Sequence, residues 1–267
     1  MKPRSLVFNL YGDYVRYRGG EIGLRDLTGL LSAFDIGEET ARVTLSRMKR
    51  EEWLTTRRVG RASYYALNER SWRLLDEGRQ RIFSRGAGEW DGHWRMVIYR
   101  VAESERPARE RLRRSLDWLG FGPLAPSTWI SPYDRFADLE ALLVGEDVKT
   151  QLDRFRVAAG DVERDRELAA RCWDLDGIDR AYRDFLARYA AFVTADPPTP
   201  RDAFVARVRL VHDYRKFPFT DPDLPPALLP VDWSGRPAHE LFLSAYDRLC
   251  EPAFAHYDAV ATPPPRA

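Results

Sequence analysis

The chain has 267 residues, a formal net charge of +1, 44% hydrophobic residues and eight Trp. That supports about two domains with real cores and excludes a disordered polyelectrolyte. No apolar run approaches the ~18 residues of a membrane span, and the opening MKPRSLVFNLYGDYV lacks the apolar core of a signal peptide.

Cys172 and Cys250 lie far apart and match no metal spacing, so a reducing, cytoplasmic setting is expected. The near-neutral total hides an asymmetry. Residues 1–90 hold 17 Arg/Lys against 12 Asp/Glu, or +5, and the remainder carries −4. Such asymmetry hints at a polyanion partner for the basic part.

Leu6, Leu10, Tyr14 and Tyr17 fall at helical spacing over 5–17, and Gly19-Gly20 ends that helix. Leu24, Leu27, Leu31 and Phe34 mark a second helix. After Asp35-Ile36-Gly37 a third begins near Glu38, with Ala41, Leu45 and Met48 on one face. Two helices joined by a tight Gly-containing turn give a helix-turn-helix pattern. The opposite face presents Val43, Ser46, Arg47 and Arg50, with Arg42 and Lys49 on its flanks. A recognition helix needs this distribution, although a solvated charged face has the same pattern.

The segment after this helix favours DNA. Residues 54–59 and 62–67 read as two strands around Gly60-Arg61, a hairpin with Arg57, Arg58 and Arg61 at its tip. A basic hairpin after a recognition helix is a wing, suited to backbone or minor-groove contact. Arg57, Arg58 and Arg61 are therefore assigned to phosphate or minor groove, and Arg42, Ser46, Arg47, Lys49 and Arg50 to the major groove or its rim. Asn68 caps a connecting helix over 68–85, and the Gly-rich GAGE at 86–89 marks the first domain boundary.

Residues 93–101 alternate as a strand with Met96 and Ile98 on one face and Val97, Tyr99 and Val101 on the other. Pro107 opens a helix that GFGP at 120–123 stops. A short strand at 127–132, a helix through Phe136–Leu143 and a strand within 148–157 come next. This order around a small antiparallel sheet predicts a ferredoxin-like domain with one strand unplaced. A nuclease on that fold needs carboxylates at the end of its first strand. Here Glu103 and Glu105 stand in a polar loop beyond it. His93, His212, His239 and His256 are scattered, and Ser127, Ser131 and Ser234 lack nucleophile-elbow glycines. No cofactor or metal site is expected, and the chain reads as a non-enzyme. A metal-dependent nuclease using the central domain is the alternative, and a ligand-independent DNA-binding protein a third reading.

Ile178, Tyr182, Phe185, Tyr189 and Phe192 stripe a helix over 177–194. Ala203–Tyr214 forms another, 216–233 is a long Pro-rich connection and Ala238–Tyr257 a final helix. The predicted fold is α+β: a winged helix-turn-helix with its connecting helix at 1–86, a ferredoxin-like domain at 90–172, a C-terminal helical domain at 173–261, and a disordered tail at 262–267. Aromatics beside arginines can clasp an aromatic acid or a phosphate-bearing acyl thioester. Trp129, Tyr214, Arg215, Phe217 and Trp233 are the candidate effector contacts. The same residues could equally seal helices into a core.

SLVFNLYGDYVRYRGGEI at 5–22, TARVTLSRMKREEWL at 40–54, RRVGRASYYAL at 57–67, GFGPLAPSTWISP at 120–132 and DYRKFPFTDPDLPPALLPVDWSG at 213–235 resemble the PaaX-type repressors of phenylacetate catabolism. The resemblance spans nearly the whole chain. It implies a homodimeric repressor of double-stranded operator DNA with inverted repeats, released by an aryl-acyl-CoA such as phenylacetyl-CoA. It also implies a central domain like the small CRISPR-associated endoribonuclease fold, without that fold's strand-end carboxylate here. Ser46-Arg47 and the Arg57–Arg61 wing match the family pattern.

Overall fold

The computed structural model describes residues 1–83, 90–143, 151–194 and 198–263. It is an α+β chain with two antiparallel sheets. Helix α1 (Pro3–Asp13) starts with proline in its first turn, where no N–H is needed. It stops four residues short of the expected end, and a 3-10 turn (Val15–Arg18) carries the chain to Gly19, at φ 93°. Strand β1 (Glu21–Gly23) leads into α2 (Leu24–Ser32) and α3 (Glu38–Arg50). The hairpin β2 (Leu54–Val59) and β3 (Ala62–Leu67) comes next, then α4 (Glu69–Phe83). The first sheet has order β1-β3-β2. As expected, Asn68 caps α4, its Oδ1 accepting from the Ser71 N–H at 2.8 Å.

The second sheet comes from β4 (Trp94–Arg100), α5 (Arg106–Trp118), β5 (Gly122–Ala125), β6 (Thr128–Ser131), α6 (Phe136–Leu143) and β7 (Gln151–Val157). This β-α-β-β-α-β chain order gives the spatial order β5-β6-β4-β7, antiparallel throughout. Strand β5 is the one left unplaced by sequence. Alternation along β4 sends Val97 and Tyr99 to α5 and α6, in a cluster with Leu112, Leu116, Phe121, Trp129 and Leu139. Trp94 and Met96 go to the opposite cluster, which includes Ile130, Ala169, Cys172, Leu224 and Leu228. Both faces are thus covered, the second by α7 (Val162–Cys172) and by residues 224–229. Trp94 Nε1 donates to Asp165 Oδ1 of α7 at 2.6 Å, so the buried indole is satisfied.

The expected helix over 177–194 is two: α8 (Leu175–Tyr189) and α9 (Ala191–Thr194). After α10 (Pro200–Tyr214), the Pro-rich connection contains α11 (Phe217–Thr220). The final helix is also two, α12 (Gly235–Arg248) and α13 (Cys250–Val260). Pro252, in the first turn of α13, has no N–H to offer the Arg248 carbonyl, so the helical hydrogen-bond ladder is interrupted there.

The chain divides into two compact units. One comprises Met1–Ser84, Arg183–Lys216 and Arg236–Ala267; the other Arg85–Tyr182 and Phe217–Gly235. The segment 173–261 therefore contributes to both. In the first unit, α10 packs on α13 and on α1. Tyr14 of α1 stacks on Tyr257 at 5.4 Å and meets Phe204 and Phe254 at 5.1 and 4.9 Å. Buried Arg207 lies 3.8 Å over the Tyr246 ring, whose hydroxyl donates to buried Asp13. Burial raises the Asp13 pKa despite nearby Arg207. Thr262 of the expected disordered tail donates to Asp26 of α2 from both its N–H and its hydroxyl. Residues 264–267 and the GAGE boundary at 86–89 lie outside the described residues. Among the described residues no helix is long and apolar enough to cross a membrane.

Candidate nucleic-acid interface

Ala41, Leu45 and Met48 are at most 1% exposed, and these three anchor α3. The remaining face projects Arg42, Val43, Ser46, Arg47, Lys49 and Arg50 into solvent, Val43 being 63% exposed. Glu38 and Glu39 stand in the first turn and Arg47, Lys49 and Arg50 in the last, the sense the helix dipole favours. The helix ends in a Schellman motif: the Trp53 N–H donates to Met48 O at 2.9 Å and the Glu52 N–H to Lys49 O at 3.0 Å. This forces Glu52 to φ 58° and turns the chain into β2.

Pairing runs Leu54↔Leu67 to Val59↔Ala62, leaving Gly60-Arg61 as a two-residue loop. Gly60 has φ 58°, the positive φ that such hairpin turns demand at their first position. Strand β1 pairs β3 on the other side. Successive strand residues face opposite ways, so Arg57 and Arg58 part company and do not gather at one tip. Arg57 lies opposite Tyr64, its guanidinium 5.6 Å from that ring. Its Nε and Nη2 donate to the Glu21 carboxylate at 3.2 and 2.6 Å. Arg58 and Arg61 are exposed.

The seven cations thus fall into two groups. Arg42 gives Nε and Nη2 to Glu38 at 2.9 and 2.6 Å. Arg47 gives Nε to Glu51 at 2.7 Å, and Arg57 is held by Glu21. Lys49, Arg50, Arg58 and Arg61 make no ion pair among the described residues. Arg47 holds the Glu51 carboxyl below its ordinary pKa, and Glu21 raises that of Arg57. Sequence alone places all seven on one surface. The Glu21 pairing leaves no trace in it, because β1 is three residues long and only Ile22 is a large apolar residue there.

The five effector candidates are divided between the two compact units. Tyr214 and Arg215 belong to the first unit, and Trp129, Phe217 and Trp233 to the second. Tyr214 stacks on Phe242 at 4.0 Å, and its hydroxyl lies 2.7 Å from His239 Nδ1. Arg215 donates to Asn9 Oδ1 at 3.2 Å and to Ser5 Oγ. Phe217 stacks on Tyr182 at 4.0 Å, and Trp233 meets Tyr182 edge-on at 5.8 Å. Trp129 is 5% exposed in the α5–α6 cluster. An open cleft of about 480 Å³ in the first unit is lined by Arg16, Tyr17, Gly19, Gly20, Trp72 and Asp76, none of them a candidate. On the nuclease alternative, exposed Glu103 is paired to Arg109 at 3.1 Å. Among the described residues no three His, Cys, Asp or Glu side chains come together to hold a metal.

Three family models match in order along the chain: PaaX-like protein at residues 2–71, PaaX protein central Cas2-like domain at 87–169, and PaaX-like protein C-terminal domain at 173–259. The chain is also 34% identical over 259 residues to the transcriptional repressor PaaX of Escherichia coli K12, covering 94% of this chain and 81% of that protein. The chain belongs to the PaaX family. A solved structure, the uncharacterized protein Rv0674 of Mycobacterium tuberculosis, resembles it with a TM-score of 0.64 at 25% identity, over 97% of this chain and 98% of that one. The first PaaX model takes in α1–α3 and the whole hairpin, so all eight DNA-contact candidates lie within it. The C-terminal PaaX model takes in Tyr214, Arg215, Phe217 and Trp233, and the central one Trp129.

Proposed function

We propose that this protein is a transcriptional repressor of the PaaX type whose residues 1–83 act as a winged helix-turn-helix. Helix α3 lies in a major groove, with Ser46, Arg47 and Arg50 toward base edges. The hairpin is the wing, with Arg58 and Arg61 on the adjacent backbone or minor groove. Arg42 and Lys49 flank the groove, and Arg57 shapes the wing through Glu21. The observation that carries this reading is the division of α3. Three residues hold it to the core, the rest of its surface is open, and a hairpin succeeds it without a break.

In this reading the protein works in the cytoplasm as a homodimer, and two copies of α3 meet the halves of an inverted repeat. The central unit is a ferredoxin-like domain, supported by its β-α-β-β-α-β order and its 2-3-1-4 strand arrangement. An aryl-acyl-CoA, phenylacetyl-CoA by default, releases the repressor by binding its two states unequally. Gel shifts of the duplex upstream of the gene, across salt, test the DNA half. A steep salt dependence with sequence preference is expected, and a flat, sequence-blind response refutes it. Calorimetry with phenylacetyl-CoA tests the effector half. Binding that weakens the gel shift is expected, and no heat with phenylacetyl-CoA or other acyl-CoAs would turn the reading to a ligand-independent DNA-binding protein.

A further inference from the structure

Glu51 differs from the other carboxylates on this surface. Glu38 is an ordinary i,i+4 partner, 66% exposed, of the kind that contributes little. Glu51 stands just past α3 with its side chain 30% exposed, and it is held from two sides. Its Oε1 accepts from Arg47 Nε at 2.7 Å and its Oε2 from Arg4 Nη1 at 2.9 Å. Arg4 in turn lies 4.8 Å over Trp53 and 5.8 Å from Phe8, and those two rings meet edge-on at 5.5 Å. A chain of contacts therefore runs from α1 through Arg4 and Glu51 to the Arg47 guanidinium.

The atoms used matter. Arg42 and Arg57 each commit both Nε and Nη2 to a carboxylate. Arg47 commits only Nε. Its Nη1 and Nη2 edge keeps two parallel N–H donors, the pair that matches the O6 and N7 acceptors of guanine. The neighbouring carboxylate also repels any phosphate that Arg47 would otherwise grip, so the wrong contact is penalised.

We propose that Glu51 is a specificity-determining positioning residue: braced by Arg4, it presents the Nη1/Nη2 edge of Arg47 to a base and holds that guanidinium away from the phosphates. This rests on the reading of α3 as the groove-entering helix.

The test uses the full chain with two duplexes: one recovered by in vitro selection from a random library with the wild-type protein, and one of scrambled sequence. Glu51→Gln should weaken binding to the selected duplex about threefold and strengthen binding to the scrambled one about threefold, lowering the ratio roughly tenfold. Freed to meet a phosphate, Arg47 should steepen the salt slope by about 0.9, a change that a merely structural role for Glu51 would not produce. In an Arg47→Ala background, Glu51→Gln should leave the ratio within about twofold. Arg4→Met, which removes the brace and keeps both Glu51 and Arg47, should lower the ratio in the same direction and covers the case of a misfolded Glu51→Gln. Equal strengthening on both duplexes with an unchanged ratio would show Glu51 to be only a surface charge and overturn the proposal, while duplex binding itself would stand. A wild-type protein that selects no sequence at all would sink the groove reading and this inference with it.

Discussion

The division of the seven cations fixes how steeply duplex binding should fall with salt. Each phosphate neutralised contributes about −0.9 to the slope of log K against log salt. If all seven met phosphates, the slope per protomer would be about −6, and a fourfold rise in salt would weaken binding several thousandfold. With Arg42, Arg47 and Arg57 held by Glu38, Glu51 and Glu21, only Lys49, Arg50, Arg58 and Arg61 remain, and Arg50 toward base edges leaves three of these for phosphates. The expected slope is then about −2.7, and the same rise costs roughly fortyfold. Fluorescence anisotropy of a labelled duplex across salt measures this directly. Arg58→Ala should make the slope about 0.9 shallower and weaken selected and scrambled duplexes alike. Arg57→Ala should leave the slope unchanged while lowering the melting temperature, because it strands Glu21, whose side chain is 16% exposed. If Arg57→Ala flattens the slope as much as Arg58→Ala, the ion pairs do not persist on DNA and the division is wrong.

Packing and titration set three further outcomes. A Cβ on Gly122 would sit 2.6 Å from the Trp173 ring and 2.8 Å from Cys172 Cβ, so Gly122→Ala should lower stability by about 1–3 kcal/mol in urea melts. Burial and the nearby Arg215 and Lys216 charges depress the pKa of His212 to about 4. Its contribution to stability is thus present above the unfolded pKa of ~6.5 and is lost as pH falls toward 4. Fully developed this would be about 3 kcal/mol, and partial exposure reduces it to roughly 1–2; melts of His212→Gln against wild type at pH 4.5 and 7.5 should show the difference. A fragment ending at residue 83 uncovers Tyr14, which packs on Phe204, Phe254 and Tyr257. It should show no cooperative melt by circular dichroism, and one matching the full chain would refute this packing argument.

Helices α2 and α3 and the β2–β3 hairpin were legible because their signals are local. An apolar i, i+4, i+7 stripe and a Gly at a two-residue loop need no distant partner to be read. The elements that escaped owe their form to tertiary contact. Helix α7 buries only Asp165, Ala169 and Cys172, too little apolar surface for a periodic signal, yet together with residues 224–229 it covers one sheet face. Strand β5 is four residues of GPLA, read as a helix stop because of its Gly and Pro. The division of 173–261 between two units was hidden for the same reason. Its helices carry clear stripes, but a stripe does not say which neighbour it meets. The effector candidates illustrate the limit differently. Trp, Tyr and Phe mark cores as readily as ligand sites, and four of the five candidates are such aromatics.

The carboxylates are the part of the candidate site that composition obscures most. Salt at 0.1 M screens charges beyond about 10 Å, so the net charge of +1 says little about how the proposed α3 surface would meet DNA. What counts is the arrangement within that distance. There the chain sets Glu38, Glu51 and Glu21 against three of its seven cations. A surface built only for affinity would leave all seven to phosphates and would hold any duplex. Pairing three of them gives up sequence-independent attraction, since each pair must be broken or repelled before a phosphate can take its arginine. Specificity is a difference between right and wrong partners, and lowering the wrong-partner term is as effective as raising the right one. On this account the acids beside the recognition surface belong to the reading device as much as the arginines do.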